Sequence, residues 1–342
     1  MIGGHGDDAW KYAVPIRADF SSNVLYGGLD AGLREHLRSA IGGVTHYPEA
    51  GAESLQVAAA AAYGVEVESV LVTNGATEAI YLIAQAFREL AATVVGPTFA
   101  EYEDACRIQG MVVRWVDGRR LHEEYLEDGP LRFDEGIVFI CHPNNPTGSV
   151  LPLSELLAMV DRWPQALFVV DESYIGFTRA MESVVAACRP NVLVLKSLTK
   201  SCRIPGLRVG FLVGPPALVG RVGACKMPWS VNRLAMEAGL YVFAHPADFV
   251  LPVESLLAAT AEWRRELAAA TGWRIYETDT PYFLFEGQAG LKEWLVQRHG
   301  LLVRDAANFR GLGPGYFRVA CQSAAKNNLL TEALRECSRN GI

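Results

Sequence analysis

The chain has 342 residues, half of them hydrophobic and a fifth charged, enough to build a large core and two domains. Its net charge of −7 gives no electrostatic footing for nucleic acid, and seven cysteines without a Cys-x-x-Cys pair argue against a disulfide framework or a zinc site. No apolar run reaches membrane-spanning length and Met1–Asp8 has no leader pattern, so a cytoplasmic protein without nucleic-acid or membrane partners is expected.

Residues 1–28 read as a polar, glycine-rich arm whose candidate functional groups are His5 and Asn23, although composition alone favours a capping or surface role for each. A helix is expected over 29–40, a loop at Tyr47-Pro48, where the proline pushes Tyr47 out of helical geometry, and a helix over 53–63. The apolar run 70–73 predicts a strand that turns through Asn74-Gly75-Ala76-Thr77 into a helix over 79–90, with Thr77 near its start. Strand 93–96 leads into a helix opened by Pro97–Tyr102, and strands follow at 111–116 and 137–141. The last of these runs into His142-Pro143-Asn144-Asn145-Pro146-Thr147-Gly148, a rigid loop suited to presenting the Asn145 amide; His142 fits a structural role better than that of a base. After a helix at 153–161, strand 167–170 delivers Asp171 at its end, with Tyr174 three residues on. Strand 192–195 delivers Ser197 and Lys200, and Arg208 precedes strand 209–213. Helices at 217–224 and 230–244 follow, the second capped by Ser230, then a long helix at 248–270 that bridges to a smaller C-terminal domain. There the expected order is strand 273–276, strand 282–285, helix 289–298, strand 301–304, strand 316–320 and helix 323–337. Arg304 and Arg318 each belong to a mostly apolar strand, where a charge needs a partner.

Polar residues just past the carboxyl ends of buried strands are where open α/β sheets build their sites. Lys200 is a candidate amine nucleophile, and a nearby cation such as Arg208 would lower its pKa. The Gly75-Ala76-Thr77 turn offers free backbone N–H groups to a phosphate, with Ser197 and Arg208 adding donors and charge. Asp171 is placed to keep a ring nitrogen protonated, Asn145 and Tyr174 to hydrogen-bond a ring oxygen, and Tyr102 to lie against a ring face. Together these groups match the needs of pyridoxal 5'-phosphate.

The motifs Asn-Asn-Pro-Thr-Gly (144–148), Asp-x-x-Tyr-x-x-Phe (171–177) and Ser-x-Thr-Lys-x-x-x-Ile-Pro-Gly-Leu-Arg (197–208) resemble the fold-type I pyridoxal-phosphate superfamily. Within it, the chain is similar to the branch of histidinol-phosphate aminotransferases and L-threonine-O-3-phosphate decarboxylases. The resemblance implies an α/β fold of the aspartate aminotransferase type: a large, mostly parallel seven-stranded sheet domain (29–246), a small α+β C-terminal domain (247–342), and the arm (1–28) packed on the small one. It also implies a homodimer with shared sites, in which Tyr47 reaches the cofactor phosphate of the other subunit, and a small phosphorylated amino-acid substrate. Arg318 would then hold the substrate carboxylate, Asn23 would contribute to substrate fit, and His5 and Arg304 would hold the substrate phosphate. Three stretches, His5-Gly6-Asp7, Pro228–Asn232 and Val303–Leu312, look more like the decarboxylases. The arm departs from the family pattern, since Asn23 is followed by Val24 and not by proline. The resemblance therefore implies decarboxylation of L-threonine phosphate, with transamination of the histidinol-phosphate kind as the alternative. Aminotransferase-like domains also serve in transcription regulators, but no basic DNA-binding segment is seen here.

Overall fold

The computed structural model describes residues 6–120, 133 and 135–342. A short strand, β1 (Ala18–Asp19), leaves the arm, and seven strands then make the main sheet. These are β2 (Val70–Thr73), β3 (Ala92–Gly96), β4 (Val113–Asp117), β5 (Ile137–Cys141), β6 (Leu167–Asp171), β7 (Val192–Ser197) and β8 (Gly210–Val213). Their order is β2-β8-β7-β6-β5-β3-β4; β8 runs antiparallel to both neighbours and the other pairs are parallel. The strands are apolar on both faces because both are covered. Val138, Ile140, Phe168, Val170 and Val194 face one core with helices Glu53–Tyr63, Leu153–Arg162 and Arg233–Ala244. Ile137, Phe139, Val169, Leu193 and Leu195 face the other, with helices Gly75–Ala86, Glu101–Ile108 and Pro216–Gly223. The chain order reverses direction across the sheet between β3 and β5, which puts a crevice at the strand ends there.

The C-terminal part forms an antiparallel sheet of order β11-β12-β9 from β9 (Tyr282–Glu286), β11 (Arg304–Asp305) and β12 (Tyr316–Ala320), while β10 (Leu301–Leu302) pairs in parallel with β1. Phe283, Phe285, Phe317 and Val319 bury one face of this sheet against Trp263 and Leu267 of helix Val253–Thr271 and Leu330 and Leu334 of helix Ala324–Asn340.

Three local expectations are corrected. The helix expected at 79–90 begins at Gly75 and ends at Ala86, because the Glu78 carboxylate accepts the Asn74 N–H at 2.5 Å and closes the first turn around the glycine. Ser230 does not cap the helix expected at 230–244: its hydroxyl donates to Glu78, and Asn232 accepts the Ala235 N–H as cap of helix Arg233–Ala244. The strand expected at 273–276 is reduced to a bridge between Ile275 and Phe285, since the chain leaves the sheet into the Thr278–Thr280 hydroxyl turn.

Candidate active site

Five strand ends converge on one cleft of about 100 Å³. β2 leads to Ala76 and Thr77, β3 to Phe99 and Tyr102, β5 to Asn145, β6 to Asp171 and Tyr174, and β7 to Ser197, Thr199 and Lys200. Because β8 is antiparallel, its entrance lies at the same edge, and Arg208 just before it joins the lining.

Asp171 is buried, accepting the Tyr102 hydroxyl at 2.6 Å and the Ser173 N–H at 2.9 Å. No cation lies within salt-bridge distance of it among the described residues, and burial pushes its carboxyl above the usual range. A buried carboxylate so placed is completed by a protonated ring nitrogen. The Lys200 ammonium is pushed down to about 8, first by burial and then by the cations of Arg318 and Arg208. It is thus a free amine over a pH range where an ordinary lysine is charged. The Arg318 guanidinium donates to Asn145 Oδ1 and to the Ser21 carbonyl, tying the Asn-Pro loop to the arm. Tyr174 is buried edge-on against Tyr282, and burial raises its pKa.

The phosphate-sized end of the cleft is a first helical turn with open amides at Gly75, Ala76 and Thr77, facing Arg208. Ser197 Oγ and Thr199 Oγ1 lie 2.8 Å apart beside it. Gly75 has φ +73°, and a Cβ there would sit 2.4 Å from Arg208 Nη2. Gly75→Ala is therefore expected to displace the guanidinium and cost the left-handed backbone about 1 kcal/mol. The cofactor dissociation constant, measured by equilibrium dialysis, should rise about tenfold, the weight of roughly one charge-assisted hydrogen bond.

In the small sheet, outside the cleft lining, Arg304 and Arg318 are buried and stand directly opposite each other on β11 and β12. Neither has a carboxylate within salt-bridge distance among the described residues. Arg304 donates to the Asp305 carbonyl at 2.8 Å and to Asn308 Oδ1 at 2.7 Å; burial, then Arg318, pushes it down to about 10. The Asn23 amide is buried beside the Tyr174 hydroxyl, and neither of its polar atoms makes a hydrogen bond of ordinary geometry. Like charges opposite one another and an unpaired amide are costly unless an anion satisfies them. The arm is pinned nearby: the buried Asp8 carboxylate takes Lys292 Nζ at 2.8 and 3.0 Å, and Gly6 packs on the Ser21 carbonyl. His5 lies outside the described residues.

Tyr102 lines the cleft beside Phe99; its side chain is fully buried, with the ring stacked on Phe139 and the hydroxyl on Asp171. Phe99, three residues earlier on the loop before the helix, is the half-buried aromatic in the lining. Tyr47 is 83% exposed, in contact with the Trp229 ring, and is not part of its own chain's cleft. Sequence reasoning missed Thr199 and the buried network behind Asp171, in which Glu172 accepts from Lys196, Ser183 and the Val184 N–H. A charged residue inside an apolar strand, Lys196, was the available signal. His142 accepts the Leu151 N–H on Nε2 and is pushed down to about 4 by burial, a neutral structural imidazole.

A tight glycine turn beside Arg208, a depressed lysine and a buried carboxylate without a cation partner among the described residues fit pyridoxal phosphate at its phosphate, aldehyde and ring nitrogen respectively. The family model for aminotransferase class I and II matches residues 17–336, and the chain belongs to that family as a pyridoxal-phosphate-dependent enzyme. It is 34% identical to the threonine-phosphate decarboxylase of Salmonella typhimurium strain LT2, covering 93% of this chain and 90% of that one. The crystal structure of L-threonine-O-3-phosphate decarboxylase from Porphyromonas gingivalis superposes with a TM-score of 0.89 at 35% identity, over 94% of this chain and 99% of that one. The histidinol-phosphate aminotransferase of Desulfitobacterium hafniense strain Y51 is 29% identical, over 94% and 91% of the two chains.

Proposed function

We propose that this protein decarboxylates L-threonine O-3-phosphate to (R)-1-aminopropan-2-ol O-phosphate and carbon dioxide, a step of cobalamin biosynthesis. The observation that carries the reading is the buried pair Arg304 and Arg318, in register and without carboxylate partners among the described residues. A substrate bearing both a carboxylate and a phosphate compensates both charges. Histidinol phosphate bears one anionic group. The similarity to two threonine-phosphate decarboxylases over nearly the whole chain supports the same reading.

When bound, pyridoxal phosphate supplies an aldehyde for the substrate amine and a ring that takes up the electron pair left by the departing carboxylate. The amides of Gly75–Thr77, Ser197, Thr199 and Arg208 would hold its phosphate, Asp171 its ring nitrogen, and Asn145 and Tyr174 its ring oxygen. Lys200 Nζ, half unprotonated near pH 8, would hold the cofactor's aldehyde end and would carry a proton to the substrate's Cα. Arg318 grips the carboxylate, while Arg304 and the arm hold the phosphate; between them they fix rotation about Cα, which selects the bond that breaks. An active homodimer in the cytoplasm, with the exposed Tyr47 reaching the cofactor of the other subunit, belongs to the same proposal.

The second reading, transamination, draws on the similarity to histidinol-phosphate aminotransferases. A paired assay on the reconstituted enzyme separates the two. Carbon dioxide from L-threonine phosphate, without glutamate from histidinol phosphate and 2-oxoglutarate formed in the other arm or its reverse, is the expected result. Amino-group exchange with 2-oxoglutarate and no carbon dioxide would overturn it.

A further inference from the structure

The helix Glu101–Ile108 presents consecutive residues to the two halves of the site. Tyr102 donates to Asp171 on the cofactor side. Glu103, almost wholly buried, accepts on Oε1 from Arg310 Nη1 at 3.1 Å, and Arg310 belongs to the loop that follows β11. That loop also carries Asn308, the partner of Arg304. Arg107, one turn along the same helix and half-exposed, is the second cation on Glu103.

The contact is reinforced by Trp115 of β4. The Arg310 guanidinium lies 5.9 Å from the centre of its ring, and Gly311, at φ +92°, packs so closely that a Cβ would stand 2.7 Å from Trp115 Cζ2. Thr98, Phe99, Glu103, Trp115 and Arg310 line one small cavity, so the junction abuts the loop that carries Phe99 of the cleft lining. A half-exposed arginine on a surface loop would contribute little by itself. Here its carboxylate partner is buried and anchored by a helix, which makes the contact a fixed point.

We propose that Glu103 is a positioning residue: through Arg310 it latches the loop 305–312 onto the main sheet's helix and so holds Asn308 and Arg304 in place for the substrate's anionic group. The inference rests on the functional reading above for the identity of that substrate. Glu103 touches neither cofactor nor substrate, so its loss should weaken binding and leave the chemical step alone.

The test uses the cofactor-loaded enzyme and a cycle of Glu103→Gln, Arg310→Gln and the double variant, with Arg310→Lys as the conservative rescue. Each single variant is expected to raise KM for L-threonine phosphate about tenfold with kcat within about twofold, because a 1.4 kcal/mol loss is tenfold in binding. The double variant should be no worse than either single one, and Arg310→Lys should recover part of the loss. Additive effects, an unchanged KM, or a fall in kcat alone would overturn the latch. Arg310 is half-exposed, so Arg310→Gln folds even where Glu103→Gln leaves Arg107 misplaced, and its KM alone decides the case. If the wild type releases no carbon dioxide, the functional reading falls by itself; the same variants are then titrated with histidinol phosphate, following the cofactor's absorption, and unchanged dissociation constants would overturn the latch.

Discussion

Lys200→Ala is expected to lower turnover by about 10³-fold or more while the thermal midpoint stays level or rises. The loss follows from removing both the nucleophile and the proton carrier, each worth orders of magnitude. The stability follows from burial and charge: burial first, then the cations of Arg318 and Arg208, push the Lys200 ammonium down, so deleting it relieves desolvation and repulsion. The same electrostatics fix a pH dependence. Bond formation with an aldehyde needs the unprotonated amine, so in the apoenzyme the rate of cofactor capture should climb as pH rises toward about 8 and level off above it. A rate still climbing toward pH 10 would mean that Lys200 titrates as an ordinary lysine and that neither burial nor the two arginines depress it. Lys200→Arg, which stays charged, should show no capture at any pH.

The residues proposed for this chemistry were readable because strand ends are readable. Asp171 ends β6 and Lys200 lies three residues beyond β7, each after an unbroken apolar run that only a buried strand explains. Less legible was how neighbours divide the lining where a helix begins. Phe99 and Tyr102 are both aromatic, three residues apart, and both line the cleft; the helix starts at Glu101, which buries Tyr102 against Phe139 and Asp171 and leaves Phe99 half-buried on the loop. The same uncertainty misplaced the first turn at Gly75, where Glu78 reaches back to cap the helix and turns a presumed loop glycine into a helical residue. Long-range pairs were beyond reach for a different reason. Glu172 with Lys196 and Glu103 with Arg310 join residues far apart in the chain, and only the packed fold specifies that they meet.

The pair Arg304 and Arg318 yields a prediction that separates their duties. Arg304→Leu should lower kcat/KM for L-threonine phosphate by about 10²–10³-fold, since losing a buried charge contact costs about 2–5 kcal/mol. Unphosphorylated L-threonine, which lacks the group Arg304 would hold, should lose less than about threefold, roughly the effect of a residue that touches nothing in the transition state. Arg318→Leu should cost both substrates alike, because both carry the carboxylate. It should also destabilise the fold by about 1–3 kcal/mol, because Asn145 and the buried Ser21 carbonyl lose their donor. Arg304→Leu relieves one of two like charges that face each other across β11 and β12 but takes the donor from the Asp305 carbonyl and Asn308 Oδ1, so its thermal midpoint should fall by less than that of Arg318→Leu. A selective loss of activity with the smaller loss of stability is what a charge kept for the substrate's phosphate predicts. Equal losses on both substrates would instead make Arg304 a structural residue and leave the phosphate to groups on the arm.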